Sequence, residues 1–472
     1  MPLFSIPLSG LDASSTALAT IANNLANLNT VGYKGSTTQF ADLFYQTLGT
    51  NGSGDPVQVG AGTGVAANSI DLTSGSPQST GVATDVAISG NGFFVVQQNG
   101  TNSYTRAGDF QIGLDGSLET TDGQQVMGYA AVNGAIPPGA ALVPLQLNMG
   151  QINSPKVTTT VQLTTNLDAG ANVGDPAFTT PITVYDSLGN SHVLDFNFSK
   201  TAAGAWNCTI SIPNSDLTPP PAWAATTAYT VGQTISPPQA NGHIYQCTVA
   251  GTSGATPPST WPTDGSTITD GGVTWQDMGT QTTINTTSLA FNSNGQLTSP
   301  TGNVANIAAS GLADGASNLN FTWDLYNSSN TPLLTQLASA SVTSAKSADG
   351  YGSGSLVNYT IGTDGVITGS FNNGQTSALG QIALANFANA QGLERVGNNN
   401  FSSSLASGAA IIGAPGTAGL GTVEGGSLET SNVDIATQFS ALIVAQRDYE
   451  ANARTVTTFD QVMQDTINMK QA

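Results

Sequence analysis

Chemistry in a protein chain needs nucleophiles, acid–base pairs or metal ligands at workable spacing, and this sequence is short of all three. It has 2 His and 2 Cys in 472 residues. His192 and His243 fall in separate segments, and no His-Glu-x-x-His, Walker loop or Cys-x-x-Cys occurs. The glycines near residues 60–64 do not follow a strand pattern, which removes a dinucleotide fingerprint. Acidic residues are commoner, but they mostly sit beside glycine in turn dipeptides such as Asp115-Gly116 and Asp122-Gly123. No Asp-x-Asp-x-Asp-Gly run with a distal Glu is present, so a calcium loop of that type is excluded. A carboxylate pair for glycoside hydrolysis leaves no mark in a sequence and stays open. The expectation is a non-enzyme with no catalytic residue, no cofactor and no metal.

One stretch carries another kind of chemistry. Residues 222–279 hold Trp223, Tyr229, Tyr245, Trp261 and Trp275, and a proline run at Pro219–Pro221 sets them off. Exposed planar rings stack on sugars. Buried, the same rings fill the core of a module too small to bury much else. Spacing does not say which rings face outward. Ala222-Trp223, Tyr229-Thr230-Val231-Gly232, Gly242–Cys247 and Asp270–Trp275 resemble small aromatic-rich β modules of the chitin-binding type, also found on phage tail proteins. That resemblance implies a glycan partner. Cys208 and Cys247 straddle the start of the stretch, and one disulfide or two free thiols are both open.

Composition narrows the classes further. Lys and Arg number 9 against 29 Asp and Glu, for a net charge of −20. A chain with no basic patch cannot neutralise phosphates, which excludes nucleic acid and disfavours anionic membranes. Charged residues are only 8%, with 55 Gly and 22 Pro, a balance that favours many short strands and turns. No apolar run is long enough for a membrane span. Met1–Gly10 lacks a basic region followed by a continuous apolar one, so no cleaved signal peptide is expected.

The elements that would position anything lie at the two ends. Leu11, Leu18 and Leu25 are spaced by seven, with Ile21 and Leu28 between; Ile435, Phe439, Leu442, Tyr449, Ala453, Val456, Met463 and Ile467 recur in heptad fashion. A seam of this period packs one helix along another. Ser14, Gln446 and Asp460 interrupt the seam, so the pair is expected to be weak alone and to order when copies stack. Ser9 with Asp12 predicts a helix N-cap, and Gly32 a position past a helix end. The fold class expected is mainly β, multidomain, with N- and C-terminal α-helices forming a coiled-coil base.

Ala22-Asn23-Asn24-Leu25-Ala26-Asn27 followed by Asn29-Thr30-Val31-Gly32-Tyr33-Lys34 resembles the N-terminal motif of bacterial flagellar axial proteins, the rod and hook subunits. Ile88–Val96 and Tyr104-Thr105-Arg106-Ala107-Gly108-Asp109-Phe110 are similar to a core block of that family. Ile182–Asn190 and Leu379–Phe387 resemble the hook members in particular. Gly425–Glu429, Ser431-Asn432-Val433-Asp434 and Ile443–Ala453 match its C-terminal motif.

The resemblance implies nested domains: a helical inner-tube domain at 1–28 plus 433–472, a linker at 29–80 plus 418–432, a first β domain at 81–145 plus 341–417, an outer β domain at 146–221 plus 280–340, and the inserted module at 222–279. It implies a structural subunit of the flagellar hook, extracellular, exported through the flagellar type III apparatus. The partners implied are further copies in a helical homopolymer and the rod, hook-cap and hook–filament junction proteins. A distal rod subunit and a carbohydrate-binding adhesin or fibre remain as other readings.

Overall fold

The computed structural model describes residues 5–469. Two compact units are present. One uses the chain up to Gln151 and again from Leu356, and the other is Ile152–Ser355.

The first unit begins with helix α1 (Ser5–Ala26) and ends with helix α2 (Ile435–Met469). Helix α1 starts earlier than the Ser9 cap predicts. Ser9 lies inside it, and its hydroxyl donates to the Ile6 carbonyl at 2.7 Å. Pro7 explains the earlier start, because a proline in the first turn gives up no helical hydrogen bond. Helix α2 is capped by Asp434, whose Oδ1 accepts the Thr437 N–H at 2.7 Å.

The segment expected to be a linker is instead a β-ribbon. Ser36–Asp42 pairs antiparallel with Thr63–Ile70, and further out Gln46–Thr50 pairs with Pro56–Val59. Its outer half is wet on both faces, with Phe44 92% exposed. No alternation of buried and exposed positions was therefore imprinted on it, and the period-2 pattern that betrays a strand is missing.

Beyond the ribbon, outgoing and returning chain are zipped together. Pro77–Ser79 pairs with Ser427–Glu429, and Val86–Ser89 with Thr422–Gly425. Phe93–Gln98 then forms a hairpin with Thr101–Thr105. Its apolar run is buried on both faces. Phe94 and Val96 enter a core with Val86 and Phe110, while Phe93 and Val95 enter another with Tyr104 and Phe401.

Two sheets of the second unit share one core. Phe178–Tyr185, Ser191–Ala202, Ala205–Pro213, Gln281–Phe291 and Leu297–Ser299 form a meander. The other sheet is built on Thr160–Asp168. Phe196 and Phe198 of the first meet Trp323 of the second edge-on, at 5.2 and 6.2 Å between centroids. Val342–Ala348 pairs with Thr160–Asp168, so this unit runs to Ser355 and not to 340 as expected. That strand is mostly exposed Ser, Thr and Ala, which gave no signal of its allegiance. The inserted module sits at a hairpin tip: Pro213 and Gln281, on either side of it, are register partners.

Candidate assembly site

Helices α1 and α2 pair antiparallel. Asn24 reaches Gln438 at 3.3 Å, and the Gly10 backbone approaches Asn452 so closely that a Cβ there would lie 2.8 Å from its side chain. The seam between them uses small residues. Gly10, Ala13, Ser14, Thr20 and Asn24 are buried on α1, and Ala445 on α2. This corrects the expectation that the heptad positions mate within one chain. Leu11, Leu18, Ile21, Leu25 and Leu28 are only half-buried, as are Leu442, Ala453 and Val456. Ile435, Phe439, Tyr449, Met463 and Ile467 are exposed, Phe439 at 50%. Close backbone approach excludes large side chains from the seam, so the bulky residues turn outward. An apolar groove of about 850 Å³ remains between the helices and the ribbon base, lined by Ala13, Ala17, Ile21, Phe40, Ala441 and Val444.

Helix lengths leave α2 partly unpartnered. At 22 and 35 residues, the helices run about 33 Å and about 52 Å. All of 461–469 is exposed.

A polar clasp holds this base to the β part of the same unit. Asn24 is buried at the end of α1. Its Nδ2 donates to the Ser36 carbonyl at 2.8 Å and its Oδ1 accepts the Ser36 N–H at 2.9 Å. Gly32 follows at φ +64°, where a Cβ would lie 2.5 Å from the Arg106 carbonyl, and its N–H donates to the Glu429 carbonyl at 2.7 Å. The Glu429 carboxylate is buried between two cations, Lys34 Nζ at 2.6 Å and Arg106 Nη1 at 3.2 Å. Lys34 also donates to Thr73 O at 2.7 Å, and Arg106 to Gly90 O at 2.7 Å. Burial pushes the pKa of Lys34 and of Arg106 down against the pull of Glu429. Arg106 Nε has no acceptor among the described residues. Asn432 holds Gly35 N at 2.8 Å and Asp71 O at 2.9 Å. Arg395 stacks over Tyr33 and Phe401, at 5.3 and 5.7 Å to the ring centroids.

Lys34, Arg106 and Glu429 were visible as parts of three motifs, but their union was not. The available signal was scarcity: in a chain with 9 basic residues, two fall inside the motifs that carry the resemblance.

The aromatic module resolves mainly as a core. Tyr245 and Trp275 are both 0% exposed, so neither offers a face to a sugar. Trp223, Tyr229 and Trp261 are half-buried against them. Tyr229 packs edge-on to Trp275 at 4.8 Å, and Trp261 lies 4.6 Å from Tyr245. Asp270 accepts the indole N–H of Trp223 at 2.6 Å and of Trp275 at 3.3 Å. Cys208 and Cys247 are free and buried.

Four family models match the chain in order. They are Flagella basal body rod protein at residues 6–34, Flagellar hook protein FlgE/F/G D1 domain at 87–166, Flagellar basal body protein FlaE D2 domain at 162–351, and Flagellar basal body rod FlgEFG protein C-terminal at 424–469. The flagellar hook protein FlgE of Escherichia coli (strain K12) is 33% identical over 484 residues, covering 99% of this chain and 100% of that one. FlgE of Borreliella burgdorferi is 33% identical over 489 residues, covering 98% of each. The crystal structure of Helicobacter pylori flagellar hook protein FlgE2 covers 75% of this chain and 100% of its own at 18% identity, with a TM-score of 0.39.

Proposed function

The chain belongs to the flagellar hook protein FlgE family and is a structural subunit of the bacterial hook, and we propose how its parts divide that task. Family membership brings self-polymerisation and association with rod and hook components at the flagellum. The outward heptad residues of α2 are the surfaces that mate between copies, forming the inner tube of a non-closing helical assembly. The observation that carries this is the row Ile435, Phe439, Tyr449, Met463 and Ile467, exposed on a helix longer than its own partner. Phe439→Glu tests it. The variant monomer keeps the helical content of the parent, because the residue touches no core, and fails to polymerise. Hooks of normal length on cells carrying the variant would overturn the assignment.

Export proceeds through the flagellar type III apparatus, and the rod, hook-cap and hook–filament junction proteins bound the polymer. The polymer is a flexible joint that carries torque from rod to filament. The inserted module offers a glycan at most the half-buried edges of Trp223, Tyr229 and Trp261. Replacing 214–280 by Asn-Gly in the full chain tests this. Retention on chitin is lost while the outer unit stays folded; a parent chain that is not retained at all would reduce the module to surface decoration.

A further inference from the structure

We infer that the outer unit holds one divalent transition ion of the zinc class, bound by His192, Asp186 and Asp314. The sequence predicts no metal, because it carries no ligand motif of recognisable spacing. Asp186 is in the turn after Phe178–Tyr185, His192 is in the next strand, and Asp314 is in the turn before Leu319–Asp324. Folding sets their three donor atoms within 4.8 Å of one another.

The spacing is what points to an ion. His192 Nε2 stands 3.3 Å from Asp186 Oδ2 and 3.6 Å from Asp314 Oδ2. Charge-assisted hydrogen bonds are shorter, about 2.7–2.9 Å. Two donors bound at about 2.0–2.1 Å on a tetrahedral ion stand roughly 3.3–3.4 Å apart. The other ring nitrogen, Nδ1, meets Asp216 Oδ2 at 3.0 Å. A metal-binding imidazole donates its second N–H to such a carboxylate, and in that tautomer Nε2 turns a lone pair to the ion in place of its 3.3 Å hydrogen bond with Asp186 Oδ2.

The carboxylates are oriented in advance. Asp186 Oδ1 accepts the N–H groups of Leu188 and Asn190 at 2.8 and 2.9 Å, and Asp314 Oδ1 accepts that of Ala316 at 2.9 Å. Each keeps its Oδ2 turned to the imidazole, and Asn190 Nδ2 donates to Asp314 Oδ2 at 3.0 Å. Backbone bonds join the segments that carry Asp216 and Asp314, with Ala313 N donating to Asp216 O at 2.9 Å. Three carboxylates face one imidazole, and no Lys or Arg pairs with them among the described residues. A nitrogen ligand selects a transition ion over calcium or magnesium. The ion ties two turns and a strand, and through Asp216 it also holds the entry to the inserted module.

The chain has 2 His, so both are assignable in a full-length sample labelled with nitrogen-15 histidine. Zinc chloride, titrated into it, shifts the His192 ring signals saturably and leaves those of His243, held by Asp277 at 2.8 Å, in place. Asp314 stands on an exposed turn, so Asp314→Asn folds, and it weakens zinc binding tenfold or more. Asp216→Asn keeps all three ligands and weakens binding by about 10–100-fold. His192 signals unmoved at about 1 mM zinc would overturn the proposal, since weaker binding is no site. So would Asp314→Asn titrating like the parent, or calcium shifting His192 as zinc does.

Discussion

Glu429 is the side chain on which the base depends most. It is the one anion between two buried cations, and its Oε1 also accepts Gly75 N–H at 2.8 Å. Glu429→Gln leaves Lys34 and Arg106 buried without a counter-charge, at a cost of about 3–5 kcal/mol. All five tryptophans lie in the second unit. The urea transition seen by helical circular dichroism therefore moves down, while that seen by tryptophan fluorescence stays. Equal movement of both would show that Glu429 is not confined to the base.

Asp349 plays a comparable part in the outer unit. Burial alone would raise its pKa. The N–H groups of Thr159 and Thr160, the Thr159 hydroxyl and Lys156 outweigh that and hold it well below the usual carboxylate range. A depressed folded-state pKa contributes stability that is whole above the unfolded value, near 3.9, and is lost as pH falls below it. Asp349→Asn should cost about 1 kcal/mol at neutral pH. The gap to the parent, read by tryptophan fluorescence, should narrow on acidification below pH about 4. A gap unchanged between neutral and acid pH would contradict this.

At the scale of elements, three sequence patterns met three outcomes. The all-apolar run Phe93–Val96 has a core on each face, so it was legible as a strand. The ribbon over 36–70 has water on both faces along most of its length, so composition alone made it look like a loop. The heptads were legible as helices, but their mates were not. Period 3.5 shows that a stripe is apolar; it does not say whether the cover comes from the same chain or another. Within the chain, Gly10, Ala13 and Ala445 allow close backbone approach and take the seam. The larger side chains are left outside that seam.

At the scale of the whole molecule, the path out and back decides the design. The zipped pairs Pro77–Ser79 with Ser427–Glu429 and Val86–Ser89 with Thr422–Gly425 return the chain to its own start. Both ends are then available at one base for assembly. Charged residues are few, at 8% of the chain, and Gly, Ser and Thr are abundant. We propose that Gly- and Thr-rich contacts between neighbouring outer units slide, which would suit a joint that bends as it turns. Cross-linking neighbouring outer units should straighten the polymer. Cross-linked hooks as curved as the parent would sink the idea.

The sequence by itself determined the helices at the ends, the β-rich middle and the family, because each rests on local periodicity, turn residues or contiguous motifs. Tertiary structure alone decided which aromatics are core, where the outer unit ends, and which far-separated charges meet. Lys34 with Glu429, and His192 with Asp314, are pairings set by the path of the chain, and no local pattern encodes that path.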